Sequence, residues 1–152
     1  MLADVNGDNM DDLVGFGDSG IEVSLATGNG NFAPHTTVAG TSFWTPSFGW
    51  DQSLYPRVLA DVNGDGAADI VGFGQPQNSG DTGVWASLNT STLAVVSFAA
   101  QVQVASSFWT PAMGFTNDDT YPRQLADITG DAKADIVGFA QSGVWTSVST
   151  ST

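Results

Sequence analysis

The chain has 152 residues and no cysteine, which excludes both disulfide staples and thiolate metal sites. Basic residues are nearly missing too: three Lys and Arg face 16 Asp and Glu, for a formal net charge of −13. A polyanion of this kind repels nucleic-acid phosphates and anionic membrane surfaces, so neither is expected as a partner. The one histidine, His35, lies in Phe32-Ala33-Pro34-His35, a stretch without a counterpart elsewhere in the chain. Nucleophile–histidine sets repeated along the chain are therefore excluded. No run approaches the roughly 20 apolar residues of a membrane-spanning helix, and no window with helical periodicity stands out.

What is present is β-forming and turn-rich. Hydrophobic residues make up 41% and charged residues 12% of the chain, with 18 glycines, and Val, Phe, Trp and Thr recur in short runs. This composition predicts an all-β protein with many tight turns rather than disorder. The dominant signal is an internal repeat. Segments from Leu2 to Leu25, Leu59 to Leu88 and Leu125 to Val148 share one pattern: Leu-Ala-Asp, a Gly/Asp-rich loop, Asp-[Ile/Leu]-Val-Gly-Phe, then Gly-[Val/Ile] and a short strand. A second block links the copies. Phe43-Trp44-Thr45-Pro46 matches Phe108-Trp109-Thr110-Pro111, and Tyr55-Pro56-Arg57 matches Tyr121-Pro122-Arg123. The copies start 57 and then 66 residues apart; the added residues fall in the loop Gln75 to Thr82, before Phe108 and before Tyr121, where loops tolerate insertion.

The repeats divide the chain into 1–57, 58–123 and an incomplete 124–152. The middle unit predicts four strands: around Leu59-Ala60-Asp61, over Asp69 to Gly74, over Gly83 to Leu88, and over roughly Phe98 to Phe108. Four strands in about 60 residues suit a propeller blade. In Gly83-Val84-Trp85-Ala86-Ser87-Leu88, Val84, Ala86 and Leu88 share one face and Trp85 takes the other. Apolar residues on both faces demand a neighbour on each side. The expectation is an all-β chain of β-propeller blades, each a four-stranded antiparallel sheet, with about two and three-quarter blades here. The chain opens inside one repeat and closes inside another, so either it is a fragment of a longer propeller or copies assemble head to tail into a ring.

Nine of the 16 acids occupy the repeated aspartate positions of the three loops. In the second copy, Asp61, Asn63, Asp65 and Asp69 place oxygen-bearing side chains at positions 1, 3, 5 and 9, and Ala67 offers its carbonyl at position 7. The first copy supplies Asp4, Asn6, Asp8, the Met10 carbonyl and Asp12; the third supplies Asp127, Thr129, Asp131, the Lys133 carbonyl and Asp135. Ca²⁺ takes six to eight oxygen ligands at about 2.3–2.6 Å, and a tightly wound loop can aim alternate residues at one point. Three carboxylates so close repel one another without a cation. Ca²⁺ is therefore the expected cofactor; three such ions would bring the net charge to about −7. The bland alternative is a set of Asx-turns whose aspartates only shape a hairpin. A glycosidase would have to draw its carboxylate pair from unmatched acids such as Asp11, Asp51 and Asp118, and the chain is not expected to be an enzyme.

The loop followed by Ile70-Val71-Gly72-Phe73-Gly74 resembles the FG-GAP/VCBS repeat of integrin α-subunit propellers and many secreted bacterial proteins. With Gly-Val-Trp in the third strand and Phe-Gly-Trp and Pro-Arg before the next loop, the unit is more similar to the fungal Psathyrella velutina lectin family. That resemblance implies a seven-bladed propeller, calcium in the blade loops, N-acetylglucosamine-type glycans bound between blades, and a secreted or cell-surface location. Aromatic faces and a few fixed polar groups suit sugar recognition. They nominate Trp50, Tyr55, Arg57 and Trp85 around the second blade, and Phe115, Tyr121, Arg123 and Trp145 around the third. Inter-blade packing and arginine–aspartate pairing explain the same residues without a ligand. Phe115 stands where the first cluster has Trp50, and Glu22 replaces the third-strand Trp, so the sites need not be equivalent. A non-lectin FG-GAP propeller, serving as an interaction or spacer domain of a larger secreted protein, is the rival expectation.

Overall fold

The computed structural model describes residues 1–74, 83–105 and 109–150. The expected loop from Gln75 to Thr82, Phe108 and the final Ser151-Thr152 lie outside the described residues. The chain is all-β, and its sheets are propeller blades. Blade 1 holds β1 (Leu2–Ala3), β2 (Asp12–Gly17), β3 (Gly20–Ser24) and, after the small hairpin of β4 (Ala26–Gly28) and β5 (Asn31–Phe32), β6 (Thr36–Val38). Blade 2 holds β7 (Arg57–Ala60), β8 (Asp69–Phe73), β9 (Val84–Ser87) and β10 (Val102–Ala105), and blade 3 holds β11 (Arg123–Ala126), β12 (Asp135–Ala140) and β13 (Gly143–Ser147). Every pairing is antiparallel, and the registers repeat: Leu59 faces Ile70 and Gly72 faces Trp85 in blade 2, as Leu125 faces Ile136 and Gly138 faces Trp145 in blade 3.

Some expected boundaries move. The first strand of blade 2 runs from Arg57 to Ala60 and leaves Asp61 outside the ladder, its backbone carbonyl accepting from Ala134 N of the third loop. The fourth strand shrinks to Val102–Ala105, with Phe98 held only by an isolated bridge to Asn89. The β4–β5 hairpin has no counterpart in the repeat pattern. Short 3-10 turns at Ser42–Trp44, Pro46–Phe48 and Pro111–Met113 also escape periodicity, being one turn each; the latter two are set by Pro at the start and a left-handed Gly49 or Gly114 at the end.

Strand alternation sorts each blade into two faces. In blade 2, Leu59, Ile70 and Trp85 join the core shared with blade 1, whereas Val58, Val71, Phe73, Val84 and Ala86 join the core shared with blade 3. Each core is thus a contact between consecutive blades, as stacked sheets require. No helix among the described residues is long and apolar enough to cross a membrane.

Candidate functional site

The three aspartate loops have nearly the same internal wiring. In blade 2, Asp61 Oδ1 accepts from the amides of Gly64 and Asp65 at 2.6 and 3.2 Å, and Oδ2 accepts from Gly66 at 2.8 Å. Asp4 does the same with Gly7, Asp8 and Asn9, and Asp127 with Gly130, Asp131 and Ala132. The fifth position repeats as well: Asp8, Asp65 and Asp131 each accept from the amide two residues on, that of Met10, Ala67 or Lys133. The side chains of Asn6 and Asn63 donate to Asp8 and Asp65, while Thr129 leans on Asp127. The loop bends require left-handed backbone, which Asn9, Gly66 and Ala132 each adopt with φ of 64°, 90° and 67°; Ala132 bears a Cβ where Gly66 has none.

The last aspartate of each loop is buried and bridges two elements. Asp69 Oδ2 accepts from Val62 N at 3.0 Å and Oδ1 from Asn89 N at 2.6 Å; Asp12 and Asp135 repeat this with Val5 and Ala26, and with Ile128 and Ser149. Burial pushes the Asp69 carboxyl up to about 6, with the charges of Asp65 and Asp61 adding to the shift against its two amide donors. Asp12 is raised in the same way, again chiefly by burial. The exposed Asp127 is held low, above all by the Gly130 amide. The Asx-turn geometry is therefore present throughout. Among the described residues no three acidic or imidazole groups converge as a metal-holding cluster in this conformation. The donor set still fits a hard cation in its chemistry: carboxylate, amide, hydroxyl and carbonyl oxygens only, with a buried carboxylate that has no ion-pair partner among the described residues.

The aromatic clusters lie at the blade boundaries. The connector into blade 2 lays Trp44 and Trp50 over Gly72, their ring centroids 5.1 Å apart at 30°. A Cβ at Gly72 would sit 2.5 Å from both rings, so the glycine is a platform for the pair. Gly138 serves Trp109 and Phe115 in the same way. Trp50 is 3% exposed and its indole N–H donates to Phe43 O at 2.7 Å; Phe115 is 1% exposed. Their ring faces are taken up by the blade boundary. Trp44 Nε1 donates to Ser87 Oγ at 3.0 Å, which pins the pair to β9.

The arginines are buried as well. Arg57 stacks 4.6 Å over Phe16 of blade 1 and donates to Trp44 O; its Nε finds no partner, and burial lowers its pKa to about 10 against the pull of Asp51. Arg123 lies over Phe73 and Phe115, donates to Trp109 O and Leu54 O at 3.1 Å each, and forms an ion pair with Asp118 at 3.2 Å. Besides Trp50 and Phe115, the two sites differ in what holds the arginine backbone. Asp118 Oδ1 accepts from Arg123 N, whereas the corresponding Gln52 Oε1 accepts from Arg57 N. Tyr55 packs against Gly74 and, like Tyr121 and Trp85, is half-buried, while Trp145 is 43% exposed. Of the eight nominated residues, these four keep open surface. A cleft of about 340 Å³ between blades 2 and 3 is lined by aliphatic residues such as Val84, Val102 and Ile136 and holds none of the eight, so it lacks the chemistry of a sugar site. Repeat alignment finds the aromatics, the arginines and the glycine of Val-Gly-Phe; it does not reveal that Gly72 carries Trp44 and Trp50 or that Asn89 reaches Val5, because those partners are remote in sequence.

Comparison with known proteins agrees with this architecture. Residues 4–72 match the family described as FG-GAP-like repeat. No curated protein matches the chain. Among solved structures, the chain is similar to an Agrocybe aegerita lectin described as specifically recognising non-reducing terminal N-acetylglucosamine: 35% identity, a TM-score of 0.80, 98% of this chain covered and 34% of that one. The chain thus spans about one third of the length of that lectin.

Proposed function

We propose that this chain, a run of FG-GAP-like repeats folded as consecutive propeller blades, is a glycan-binding segment with N-acetylglucosamine-type specificity and no catalytic role. The observation that supports it is the likeness to the Agrocybe aegerita lectin, 35% identical over 98% of this chain. The sites we propose lie at the blade boundaries, with Tyr55 and Trp85 at one and Tyr121 and Trp145 at the next supplying ring surface. Trp50, Phe115, Arg57 and Arg123 act beneath them, holding the connectors against the sheets. Several weak sites on one rigid array would reinforce one another on a multivalent glycan surface.

Ca²⁺ is the proposed structural cofactor. Asp4, Asn6, Asp8 and Asp12 would hold it in blade 1, with the Met10 carbonyl. Asp61, Asn63, Asp65 and Asp69 with the Ala67 carbonyl serve blade 2, and Asp127, Thr129, Asp131 and Asp135 with the Lys133 carbonyl serve blade 3. The ion would supply the positive charge that the buried third aspartate lacks. A secreted or cell-surface location fits such a calcium-dependent glycan binder.

A glycan array in millimolar Ca²⁺, followed by titration of Trp fluorescence with N-acetylglucosamine, tests the reading. Terminal N-acetylglucosamine glycans are expected to bind, with Trp85→Ala weakening binding at least tenfold. Silence across every N-acetylated glycan by properly folded protein would sink the lectin reading and favour an interaction or spacer propeller. For the cofactor, EGTA is expected to lower the Tm; at free Ca²⁺ 100-fold above Kd each site adds about 2.7 kcal/mol. An unchanged melting curve and no calcium in elemental analysis count against it.

A further inference from the structure

The second and third aspartate loops are each tied to the loop of the blade before. Ala68 N donates to Asp4 O at 2.8 Å, and Ala134 N donates to Asp61 O at 2.7 Å. A second strap uses the second residue beyond the third strand. Asn89, 7% exposed, donates through Nδ2 to Val5 O at 3.0 Å and to Ala68 O at 2.9 Å, one carbonyl in each of two neighbouring loops. Its backbone N–H meanwhile donates to Asp69 Oδ1 at 2.6 Å. One blade on, Ser149 occupies the corresponding position: its Oγ donates to Val62 O at 2.9 Å and its N–H to Asp135 Oδ1 at 2.7 Å. In blade 1 this position is Ala26, whose N–H holds Asp12 at 2.8 Å but whose side chain has no donor.

We propose that Asn89 and Ser149 are positioning residues that couple neighbouring aspartate loops, so that Ca²⁺ bound in one loop tightens binding in the next. The proposal rests on the calcium reading above. A cation that fixes Asp4 also fixes the adjacent Val5 carbonyl. That carbonyl orders the Asn89 amide, and the Asn89 backbone holds Asp69, the last carboxylate of the second loop. Ordering that the second loop requires is then partly done by the first, which is a coupling free energy between sites. Asn89 reaches both loops with one amide, and the Ser149 hydroxyl donates to the preceding loop.

Calorimetric titration of the EGTA-stripped chain with CaCl₂ tests this. Wild type is expected to take up Ca²⁺ with positive cooperativity. Asn89→Ala is expected to abolish the cooperativity between the first two loops and weaken the second step by about 10- to 100-fold, the range seen when outer-shell partners of ligands are removed. Asn89→Ser, which borrows the residue of the next blade, should restore part of it, and Ser149→Ala should weaken the third step. Tm values in EGTA and in Ca²⁺ separate coupling from general weakening of the fold: a merely structural role lowers both alike, whereas coupling shrinks the increment that Ca²⁺ adds. Calcium uptake with unchanged cooperativity and an unchanged increment in Asn89→Ala and Ser149→Ala overturns the coupling and leaves the calcium reading standing. A wild-type chain that takes up no calcium overturns both.

Discussion

Asp69-Ile70-Val71-Gly72-Phe73 in blade 2 and Asp12-Leu13-Val14-Gly15-Phe16 in blade 1 are nearly the same strand in nearly the same register. All five residues of the first are buried, whereas Leu13 is 42% exposed and Gly15 is open. Val14, which points towards blade 2, is 3% exposed. Blade 3 shows the opposite side bare: Phe139 and Val144, the counterparts of Phe73 and Val84, are 41% and 61% exposed. Burial in this fold is thus a property of the stack. A strand contributes two faces, and each closes only where a neighbour and its connector lie against it.

Four measurements can break or sharpen that contrast. Ile70→Ala empties a fully buried position and is expected to cost about 4 kcal/mol, against about 1 kcal/mol for Leu13→Ala; equal losses in urea melts would mean that blade 1 is covered in solution on its open face. Gly72→Ala forces a methyl into Trp44 and Trp50 and is expected to cost about 3 kcal/mol. Gly15→Ala, with nothing nearer than 3.9 Å, should stay within about 0.5 kcal/mol of wild type.

The third concerns Asp69. Its carboxyl, pushed up to about 6 from an ordinary 3.8, binds its proton more tightly in the folded chain than in the unfolded one. The associated stability is present in full below pH 3.8 and is lost as pH rises through 6. In EGTA the chain is therefore expected to lose stability between pH 4 and pH 7, by no more than about 3 kcal/mol. Asp69→Asn should flatten that slope; an identical slope in the variant would remove Asp69 as its source. The smallest effect separates the two arginine sites. Asp118→Ala strips Arg123 of its ion pair and is expected to cost about 2 kcal/mol. Gln52→Ala, beside an arginine without such a pair, should cost about 1 kcal/mol.

Much of the architecture was legible in the chain because it is local. The loop spacing, the strand following it and the alternation in Val84-Trp85-Ala86 need only a few adjacent residues, and the observed faces match that alternation. What stayed hidden depends on distance. Asn89 acts on Val5, 84 residues away, and no short-range pattern marks it. The glycine of Val-Gly-Phe was visible as a repeated letter, but its role needs the tryptophans laid across it. The aromatic block was legible as a unit and ambiguous in purpose, since Trp50 and Phe115 inside a boundary and Trp145 partly outside it carry the same chemistry in sequence. The 3-10 turns and the β4–β5 hairpin were missed because one turn or a two-residue ladder leaves no periodicity to read.

The rings that close the front of blades 2 and 3 lie in the chain before each of those blades. Trp44 and Trp50 precede Gly72, and Trp109 and Phe115 precede Gly138, while the sheet that ends just upstream of each pair packs on the far side. The unit that duplicates intact is therefore out of phase with the sheet. A copy cut at the sheet edges would separate each platform from its cover, whereas one cut from Thr41 to just before the next Phe-Trp block carries both. Lengthening or shortening such an array by recombination succeeds only in that phase, and the same cut defines the segment to transplant when blades are added by design.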